Sequence, residues 1–321
     1  MNKKTKTLLI IGTILILVGV LLFAGAMTAL KWDFTKLSTT NYKSNSYDIG
    51  DEFTDISIET DTSKVEFFTS NDNTTHVECH EQDNVEHDVF VENNVLNIKF
   101  NDTRKWYEHI GIGFGKSTIK IYLPAEQYAK LVIETDTGDI NIPKDFKFES
   151  INISASTADI TNFASTSEDI TIKTSTGDIL TESASAGSID LSVSTGDVTL
   201  SDVECTGDVK IKVSTGKTSM TNVKCESLNT SGSTGDVILN KVIINDKLSI
   251  KRSTGYVKLN SCDAGEIFVK TDTGDVKGTL RSEKVFITET STGKINVPKS
   301  IKGGRCEITT NTGDIIIDIE D

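Results

Sequence analysis

Apolar and polar residues alternate in steps of two over most of the chain, and the alternation is organised into a repeat. A Ser-Thr-Gly-Asp-like tetrad recurs every 19 or 20 residues. Its third position is occupied in ten repeats by Gly138, Ala158, Gly177, Gly196, Gly216, Gly235, Gly255, Gly274, Gly293 and Gly313. The position seven residues before this one is apolar in all ten repeats, and the position two residues after it is always β-branched. Alternation with a period of two predicts strands that bury one face.

Each repeat therefore predicts one strand, a tight turn at the tetrad and a second strand. Because so short a coil cannot close a core of its own, successive coils must stack and share one. We predict an all-β fold, a parallel right-handed β-solenoid of about ten coils, over residues 126–321. The tetrad glycine supplies the positive φ of a type II turn, and the neighbouring Ser or Asp can hydrogen-bond the turn backbone.

The first thirty residues show a different pattern. Lys3, Lys4 and Lys6 precede an apolar run from Leu8 to Leu30, 23 residues that are long enough to cross a bilayer as a helix. We predict a transmembrane anchor over residues 1–30, with the N-terminus inside and the C-terminal domain extracellular. A cleaved signal peptide with Ala24-Gly25-Ala26 as its cleavage site is the alternative. Residues 31–46 are polar without a period and predict a tether.

Residues 47–125 are rich in strand-like stretches but lack the tetrad. Ile56, Ile58, Val65 and Phe67 around Ser63 fit the repeat and predict one degenerate coil. The remainder predicts a β-rich cap over the open end of the stack, since an exposed sheet edge invites aggregation. At the other end, Asp318, Glu320 and Asp321 are expected to protect the last strand as an edge.

These features resemble a known family. The tetrad repeats, the single N-terminal span and the segment Asp102–Tyr107 leading into Gly111–Gly115 are similar to the adhesin-like domain of unknown function in membrane-anchored surface proteins of Firmicutes. The resemblance covers essentially the whole chain. It implies a surface solenoid, and it supplies no catalytic residues.

Charge and cysteine content narrow the class of function. The net charge of −14 argues against nucleic acid as a partner, because phosphate binding needs clustered Lys and Arg. The five cysteines include no CxxC pair and fall at apolar positions, which predicts buried free thiols. Cys205 and Cys225 should stack on adjacent coils within disulfide range, but their column is apolar, and we predict that they are free.

Two groups of residues have the chemistry of metal ligands. His76, Cys79, His80 and His87 are zinc-ligand types, but strand alternation turns Cys79 away from the histidines, and we predict an exposed polar strand face instead. Aspartates after the turn glycines would form a column that calcium could neutralise. That candidate calcium column comprises Asp178, Asp197, Asp236 and Asp275. Lys217, Tyr256 and Lys294 interrupt it, which favours aspartates that cap turns without a metal.

The aromatic segment Trp106, Tyr107 and Phe114, with glycines at 111, 113 and 115, is the best candidate for ligand binding, because aromatic faces stack on sugars or insert into membranes. The alternative is a hydrophobic plug over the first coil. Arg252 is expected to lie across the space left by Gly232, either as packing or in contact with a small ligand.

No catalytic machinery or cofactor site is predicted. The repeat region has no histidine, and the chain has no G-x-S-x-G elbow. The sequence favours a non-catalytic surface solenoid, an adhesin or an envelope scaffold that binds a cell-wall or host glycan or another surface polymer. The alternative is an envelope-stress sensor that acts through a membrane component or a partner protein.

Overall fold

The computed structural model describes residues 2–37, 40–106 and 115–320 of the 321-residue chain. It begins with helix α1, Lys3–Ala29, followed by a short 3-10 helix, Phe34–Leu37. A helix of 27 residues is about 40 Å long, which exceeds the roughly 30 Å of a bilayer core. Its apolar side chains from Leu8 to Phe23 are exposed. This length and composition are typical of a membrane anchor or a signal sequence.

Seven strands of the described chain precede the first tetrad strand. They are β1 Tyr42–Ile49, β2 Asp55–Thr60, β3 Lys64–Thr69, β4 Thr75–Gln82, β5 Val85–Glu92, β6 Val95–Asp102 and β7 Thr118–Leu123.

The tetrad region supplies the remaining strands. They are β8 Gln127–Thr137, β9 Ile140–Ile142, β10 Lys147–Thr157, β11 Ile160–Asn162, β12 Ser165–Thr166, β13 Asp169–Thr176, β14 Ile179–Glu182, β15 Ser185–Ala186, β16 Ser188–Thr195, β17 Val198–Cys205, β18 Val209–Thr215, β19 Thr218–Cys225, β20 Leu228–Thr234, β21 Val237–Asn240, β22 Ile243–Thr254, β23 Val257–Thr273, β24 Val276–Leu280, β25 Lys284–Thr292, β26 Ile295–Asn296, β27 Gly304–Thr312 and β28 Ile315–Ile319.

Strands at the same place in successive repeats pair in parallel, so equivalent residues stack in columns. Ile151 of β10, for example, lies between Leu131 of β8 and Ile170 of β13. On the other side of the turn, Ile160 lies between Ile140 and Ile179. The apolar columns point inward and form one continuous core along the stack. The all-β fold, a mostly parallel solenoid of about ten coils, is confirmed.

Each turn glycine is required for two reasons. Its φ lies between 120° and 152° in eight of the tetrads, a region that favours glycine. In addition, a Cβ atom on Gly216 would lie 2.0 Å from the carbonyl oxygen of Gly196 in the preceding coil. The positive φ was predicted from the sequence, whereas the lack of space for a Cβ atom between successive turns was not.

A second corner gives the middle coils a short third side, where the sequence analysis predicted only two strands per coil. Six residues after the glycine, a non-glycine residue adopts left-handed φ values of 52–54°. These residues are Ser183, Asp202, Asn222, Lys241 and Ser261. Four of the five have short polar side chains, of which Asn and Asp tolerate this conformation best, and the fifth is a lysine, so no single residue type marks the corner.

The N-terminal end of the stack is closed by antiparallel strands. β2 and β3 form the predicted degenerate coil, which stacks on β8 and β9. β6 and β7 form a further coil outside it. The outer edge of β6 pairs with β5, and that of β7 pairs with β4, which also pairs with β1. β1 starts at Tyr42, inside the segment predicted as a tether, because its residues form a full antiparallel ladder with β4.

At the C-terminal end, the last two coils are stacked in reverse order. β27 and β28 lie between β23–β24 and β25–β26, so the coil that is last in sequence is second to last in space. β28 has a partner on each side at Ile315 and Ile316, whereas Asp318 pairs with Thr279 alone. Asp318 therefore lies at a strand edge, as predicted, although the coil that carries it is not the outermost one. The inner coil places Ile308 in the core where the outer coil has Thr288, which favours the observed order.

Candidate binding groove

The aspartates of the predicted calcium column each use one carboxylate oxygen to accept a backbone hydrogen bond from the next coil. The pairs are Asp178 Oδ1 with the N–H of Asp197 at 2.7 Å, Asp197 Oδ1 with the N–H of Lys217 at 2.7 Å, Asp236 Oδ1 with the N–H of Tyr256 at 3.0 Å, and Asp275 Oδ1 with the N–H of Asp314 at 2.8 Å. The aspartates thus cap turn backbone, across coils instead of within one turn. Calcium binding by the column stays a hypothesis.

A groove of about 700 Å³ lies where the N-terminal strands meet the turn edge of the first coils. Its described lining comprises Tyr42, Asp61, Thr62, Lys64, Gln82, Val85, Arg104, Gly115, Lys116, Ser117, Thr137, Gly138, Asp139, Thr157, Ala158, Asp159, Thr176 and Gly177. One part of the lining therefore comes from strands and loops of the N-terminal region, and the other part is the start of the turn column.

Tyr42 and Gly115 build one wall of the groove by direct packing. The Tyr42 hydroxyl donates to the carbonyl oxygen of Gly115 at 3.1 Å. A Cβ atom on Gly115 would lie 2.3 Å from Cε2 of Tyr42, so the ring occupies the space that the missing side chain leaves. The Tyr42 ring also stacks on the ring of His80, with ring centroids 5.5 Å apart. Tyr42 belongs to the segment that the sequence analysis treated as tether, so this contribution was missed.

Three basic side chains line the groove. Lys64 forms an ion pair with Glu66 at 2.7 Å, and Arg104 binds Asp102 through both Nε and Nη2. Lys116 is exposed beside them. Because their partners hold Lys64 and Arg104 in defined orientations, the groove presents donors that are oriented before any ligand arrives.

The turn column contributes hydroxyl and carboxylate groups to the same groove. Thr137, Thr157 and Thr176 are paired across successive coils, and Asp139 and Asp159 follow the first two of them in sequence. Oδ1 of Asp139 accepts a hydrogen bond from the N–H of Asp159 at 3.2 Å. Donors and acceptors therefore repeat at the spacing of the coils, about 4.8 Å.

The predicted aromatic binding segment begins beside this groove. Trp106 is 78% exposed, two residues after Arg104 in the groove lining. Tyr107 and Phe114 lie outside the described residues, and Gly115, where the description resumes, lines the groove again. The binding role of this segment and its alternative, a plug over the first coil, both stay predictions.

The histidines divide between two sides of β4 and β5. His76 stacks on Tyr122 and His80 is exposed, as predicted for a polar strand face. His87, by contrast, is buried with Cys79 and Glu81, and the three side chains approach one another closely. The expectation that Cys79 points away from the histidines holds for His76 and His80 but is wrong for His87. The missed signal is that Val85 and His87 alternate inward after the turn.

Arg252 lies inside the solenoid against Gly232, as expected. A Cβ atom on Gly232 would lie 1.7 Å from Nη1 of Arg252. Nη1 donates to the carbonyl oxygen of Val213 at 2.8 Å, and Nη2 donates to the hydroxyl of Thr218 at 2.6 Å. Burial lowers the pKa of the Arg252 guanidinium, which interacts electrostatically with Asp236. The guanidinium fills a gap in the core and contacts protein groups, so the packing alternative fits the structure.

All five cysteines are buried and free. Cys205 donates a hydrogen bond from its thiol to the carbonyl oxygen of Gly187 at 3.4 Å. Burial, and to a lesser extent the neighbouring Cys205, raises the pKa of the Cys225 thiol to about 12. The predicted burial of the cysteines is confirmed.

The sequence that forms the groove and the stacked turns matches a known protein family. A family model described as Toastrack DUF4097 matches residues 53–213 and 205–321. The chain belongs to the Toastrack DUF4097 family. The resemblance to an adhesin-like family of unknown function is thereby confirmed. No curated protein sequence matches this Toastrack chain.

Solved structures that are similar to this chain cover most of it at low sequence identity. A candidate adhesin from Parabacteroides merdae is 13% identical, covers 88% of this chain and 98% of its own, and has a TM-score of 0.49. A candidate lipid-binding protein from Parabacteroides distasonis is 12% identical over the same shares, with a TM-score of 0.47. A candidate adhesin from Bacteroides fragilis is 14% identical, covers 87% and 97%, and has a TM-score of 0.42. Likeness this distant carries no residue role to this chain.

Proposed function

We propose that the protein is a non-catalytic, membrane-anchored surface solenoid that binds a glycan or another surface polymer in the groove at its N-terminal end. The observation that carries the proposal is the position of this groove. It begins at an aromatic and basic wall formed by Tyr42, Arg104 and Lys116, and it opens onto the column of turns. A polymer that enters at the wall would meet the same hydroxyl and carboxylate groups again in each coil.

The chemistry of the groove suits a polyhydroxylated ligand. Sugar hydroxyls donate and accept hydrogen bonds, and the groove offers basic donors together with the Thr and Asp acceptors of the turns. Trp106 at its border supplies an exposed aromatic face, on which a sugar ring can stack. Because the acidic chain would repel a polyanion along the turn column, a neutral or amino-bearing polymer is favoured.

The anchor would hold this groove close to the cell. With α1 as a single membrane span and the solenoid outside, only residues 30–41 separate the helix from β1. Twelve residues reach at most about 40 Å. The groove-bearing end of the solenoid would then face the envelope, and the C-terminal end would point away from it.

The test is a binding experiment with the full chain in lipid nanodiscs on purified cell wall, mucin and lipid vesicles, with and without calcium. We expect saturable binding to wall or mucin. The double variant Trp106→Ala/Lys116→Ala should lose most of it, and the matched control Phe90→Ala/Lys99→Ala, an exposed aromatic–lysine pair outside the groove lining, should retain it. Equal loss in both variants would contradict a groove site.

The remaining outcomes separate the alternatives. Binding that depends on calcium and is lost in Asp178→Asn/Asp197→Asn would assign the turn column to calcium. Binding to vesicles alone would contradict the polymer proposal and favour a sensor that recognises a membrane component. That sensor should fail when residues 1–30 are replaced by an unrelated anchor, whereas a polymer-binding protein should still work.

A further inference from the structure

Three buried side chains of different chemistry meet beneath the N-terminal strands. Cys79 and Glu81 point inward from β4, and His87 points inward from β5, just beyond the turn at Asp83–Asn84. Each of the three is at most 2% exposed. The Cys79 sulfur, a carboxylate oxygen of Glu81 and a ring nitrogen of His87 all lie within 4.8 Å of one another. Strand alternation makes this possible, because residues 79 and 81 share a face of β4.

Neighbouring polar groups hold two of these side chains in place. The Asn45 amide donates to Oε1 of Glu81 at 2.6 Å, and the backbone N–H of His87 donates to Oε2 of Glu81 at 3.0 Å. Nδ1 of His87 lies 2.8 Å from the same Oε2, and its Nε2 lies 2.9 Å from the Thr60 hydroxyl. The hydrogen bond between Nε2 and Thr60 therefore fixes the histidine ring while Nδ1 faces Glu81. A second hydrogen bond of this kind is typical of histidines that ligate metals through the other ring nitrogen.

The cluster is unusual in the charge that it buries. Glu81 is the one buried carboxylate in the described part of the chain. A divalent cation would compensate this buried charge, because one thiolate, one carboxylate and one neutral imidazole around it make a site with no net charge. Buried ionic groups are tolerated when they are compensated in this way.

We propose that Cys79, Glu81 and His87 form a zinc site that ties β4 to β5. Thiolate, imidazole and carboxylate together are ligands that zinc accepts, whereas calcium and magnesium prefer oxygen ligands alone. Zinc–ligand distances of about 2.0–2.3 Å place the ligands of one ion roughly 3–4 Å apart, so side-chain shifts on the order of 1 Å bring the three groups to bonding distance, and a water molecule would take the fourth position. On binding, the Cys79 thiol releases its proton to solvent and its sulfur bonds the ion.

The proposed site has a structural consequence for the closed end of the solenoid. β4 pairs with β1 and β7, and β5 pairs with β6. The two strands therefore lie against different sides of the outermost N-terminal coil, which β6 and β7 form. An ion held by both strands would fasten these sides together, and metal that binds only the folded state adds to stability. This role is independent of what the groove binds.

The test uses the full chain in detergent without a histidine tag, stripped with chelator and reloaded with Zn²⁺ or Co²⁺. We expect about one zinc ion per chain, an intense cobalt–thiolate charge-transfer band, and a higher unfolding midpoint with Zn²⁺ but not with Mg²⁺. Cys79→Ser should abolish the cobalt–thiolate band and the zinc-induced shift. The matched controls are Cys306→Ser, a buried cysteine outside the cluster, and His76→Ala, on the outer face of β4. Both should keep the cobalt–thiolate band and the zinc-induced shift of the unfolding midpoint.

The first outcome that overturns the proposal needs no variant. Absence of the cobalt–thiolate band in the folded parent protein excludes Cys79 as a ligand. Zinc content and a zinc-induced shift that are the same in the parent and Cys79→Ser would assign the metal to other residues. If Cys79→Ser does not fold, loss of the band in His87→Gln, with the band retained in His76→Ala, supports the site, and retention of the band in His87→Gln overturns it.

Discussion

The two ends of the solenoid differ in how the edges of their outermost strands are covered. At the N-terminal end, the outermost coil is formed by β6 and β7, and each of these strands has a partner on both sides. At the C-terminal end, the outermost coil is formed by β25 and β26, and each has a single partner within the described chain. One end is therefore covered by antiparallel strands, while the other leaves a strand edge and part of the core in contact with solvent.

Equivalent positions of the two end coils show what the covering achieves. Leu96 and Ile119 in the N-terminal coil occupy the same columns as Phe286 and Ile295 in the C-terminal coil. The first two are fully buried, whereas Phe286 is half-buried and Ile295 is 46% exposed. A repeat position therefore fixes which side a residue faces, and the neighbouring layer determines whether it is buried.

The covering also introduces a buried carboxylate and a buried histidine, which the described regular coils lack. The strands that close the N-terminal end bring Glu81 and His87 into the interior, whereas the open end keeps the hydroxyl of Thr288 at a core-facing position and buries Lys284 against the partly exposed Asp263. The closed end thus combines deeper burial with a buried ionisable pair. Its stability should depend on individual side chains far more than that of the open end.

The largest difference is expected when a charge is placed in the same column at the two ends. Ile119→Lys buries an ammonium group without a partner and should cost more than about 4 kcal/mol of unfolding free energy. Ile295→Lys can direct its ammonium into solvent and should cost less than about 1 kcal/mol. Urea unfolding of the full chain in detergent, followed by circular dichroism, measures both. Similar losses would show that the C-terminal coil is covered in solution.

Removing one member of the buried pair should have the next largest effect. In chelator-treated protein, His87→Leu leaves the Glu81 carboxyl without its imidazole partner and should cost about 3–5 kcal/mol. His80→Leu changes an exposed histidine near the same turn and serves as the control, with no measurable loss expected. The same unfolding assay applies. A loss below that of an ordinary surface substitution would mean that the pair contributes nothing to the closed end.

Truncation of equivalent apolar side chains should separate the ends by a smaller margin. Leu96→Ala creates a cavity in a fully enclosed position and should cost about 2–5 kcal/mol. Phe286→Ala removes a larger side chain, but solvent can fill the space, and we expect about half the loss of Leu96→Ala. If Phe286→Ala proved the more costly variant, the C-terminal coil would have to be packed against another surface.

The sequence predicted most of the fold because every coil obeys the same two periods. Alternation determined the buried columns, and the repeat spacing determined the turns, including the degenerate coil around Ser63. The period did not reveal the reversed order of the last coils, although Thr288 in place of an apolar residue is a signal for it. Thr312 pairs with both Thr273 and Thr292 in the same column, so periodicity is unchanged whichever coil lies outside.

Less of the candidate sites could be predicted, because they join segments that no repeat relates. The groove brings Tyr42 next to Gly115, residues separated by 73 positions. The buried cluster depends on a turn that directs His87 back towards Cys79, and the histidines nearer in sequence point outward. Such contacts come from tertiary packing of the N-terminal strands. Alternation in steps of two predicts which face of a strand is buried, but not which residues that face contacts.

The smallest predicted effect concerns how the open end is held in place. Oδ1 of Asp314 accepts a hydrogen bond from the N–H of Lys294 in the outermost coil at 2.9 Å, and Asp178 makes the same contact to Asp197 between two inner coils. Asp314→Ala should cost about 0.5–1.5 kcal/mol of unfolding free energy.

Because the outer coil has a neighbour on one side only, this loss should appear as faster amide hydrogen exchange confined to residues 284–297. Asp178→Ala should accelerate exchange only at Asp197 itself, since the coils on both sides keep that strand in place. Exchange that spreads equally from both variants would mean that the end coil is no less stable than the middle of the stack.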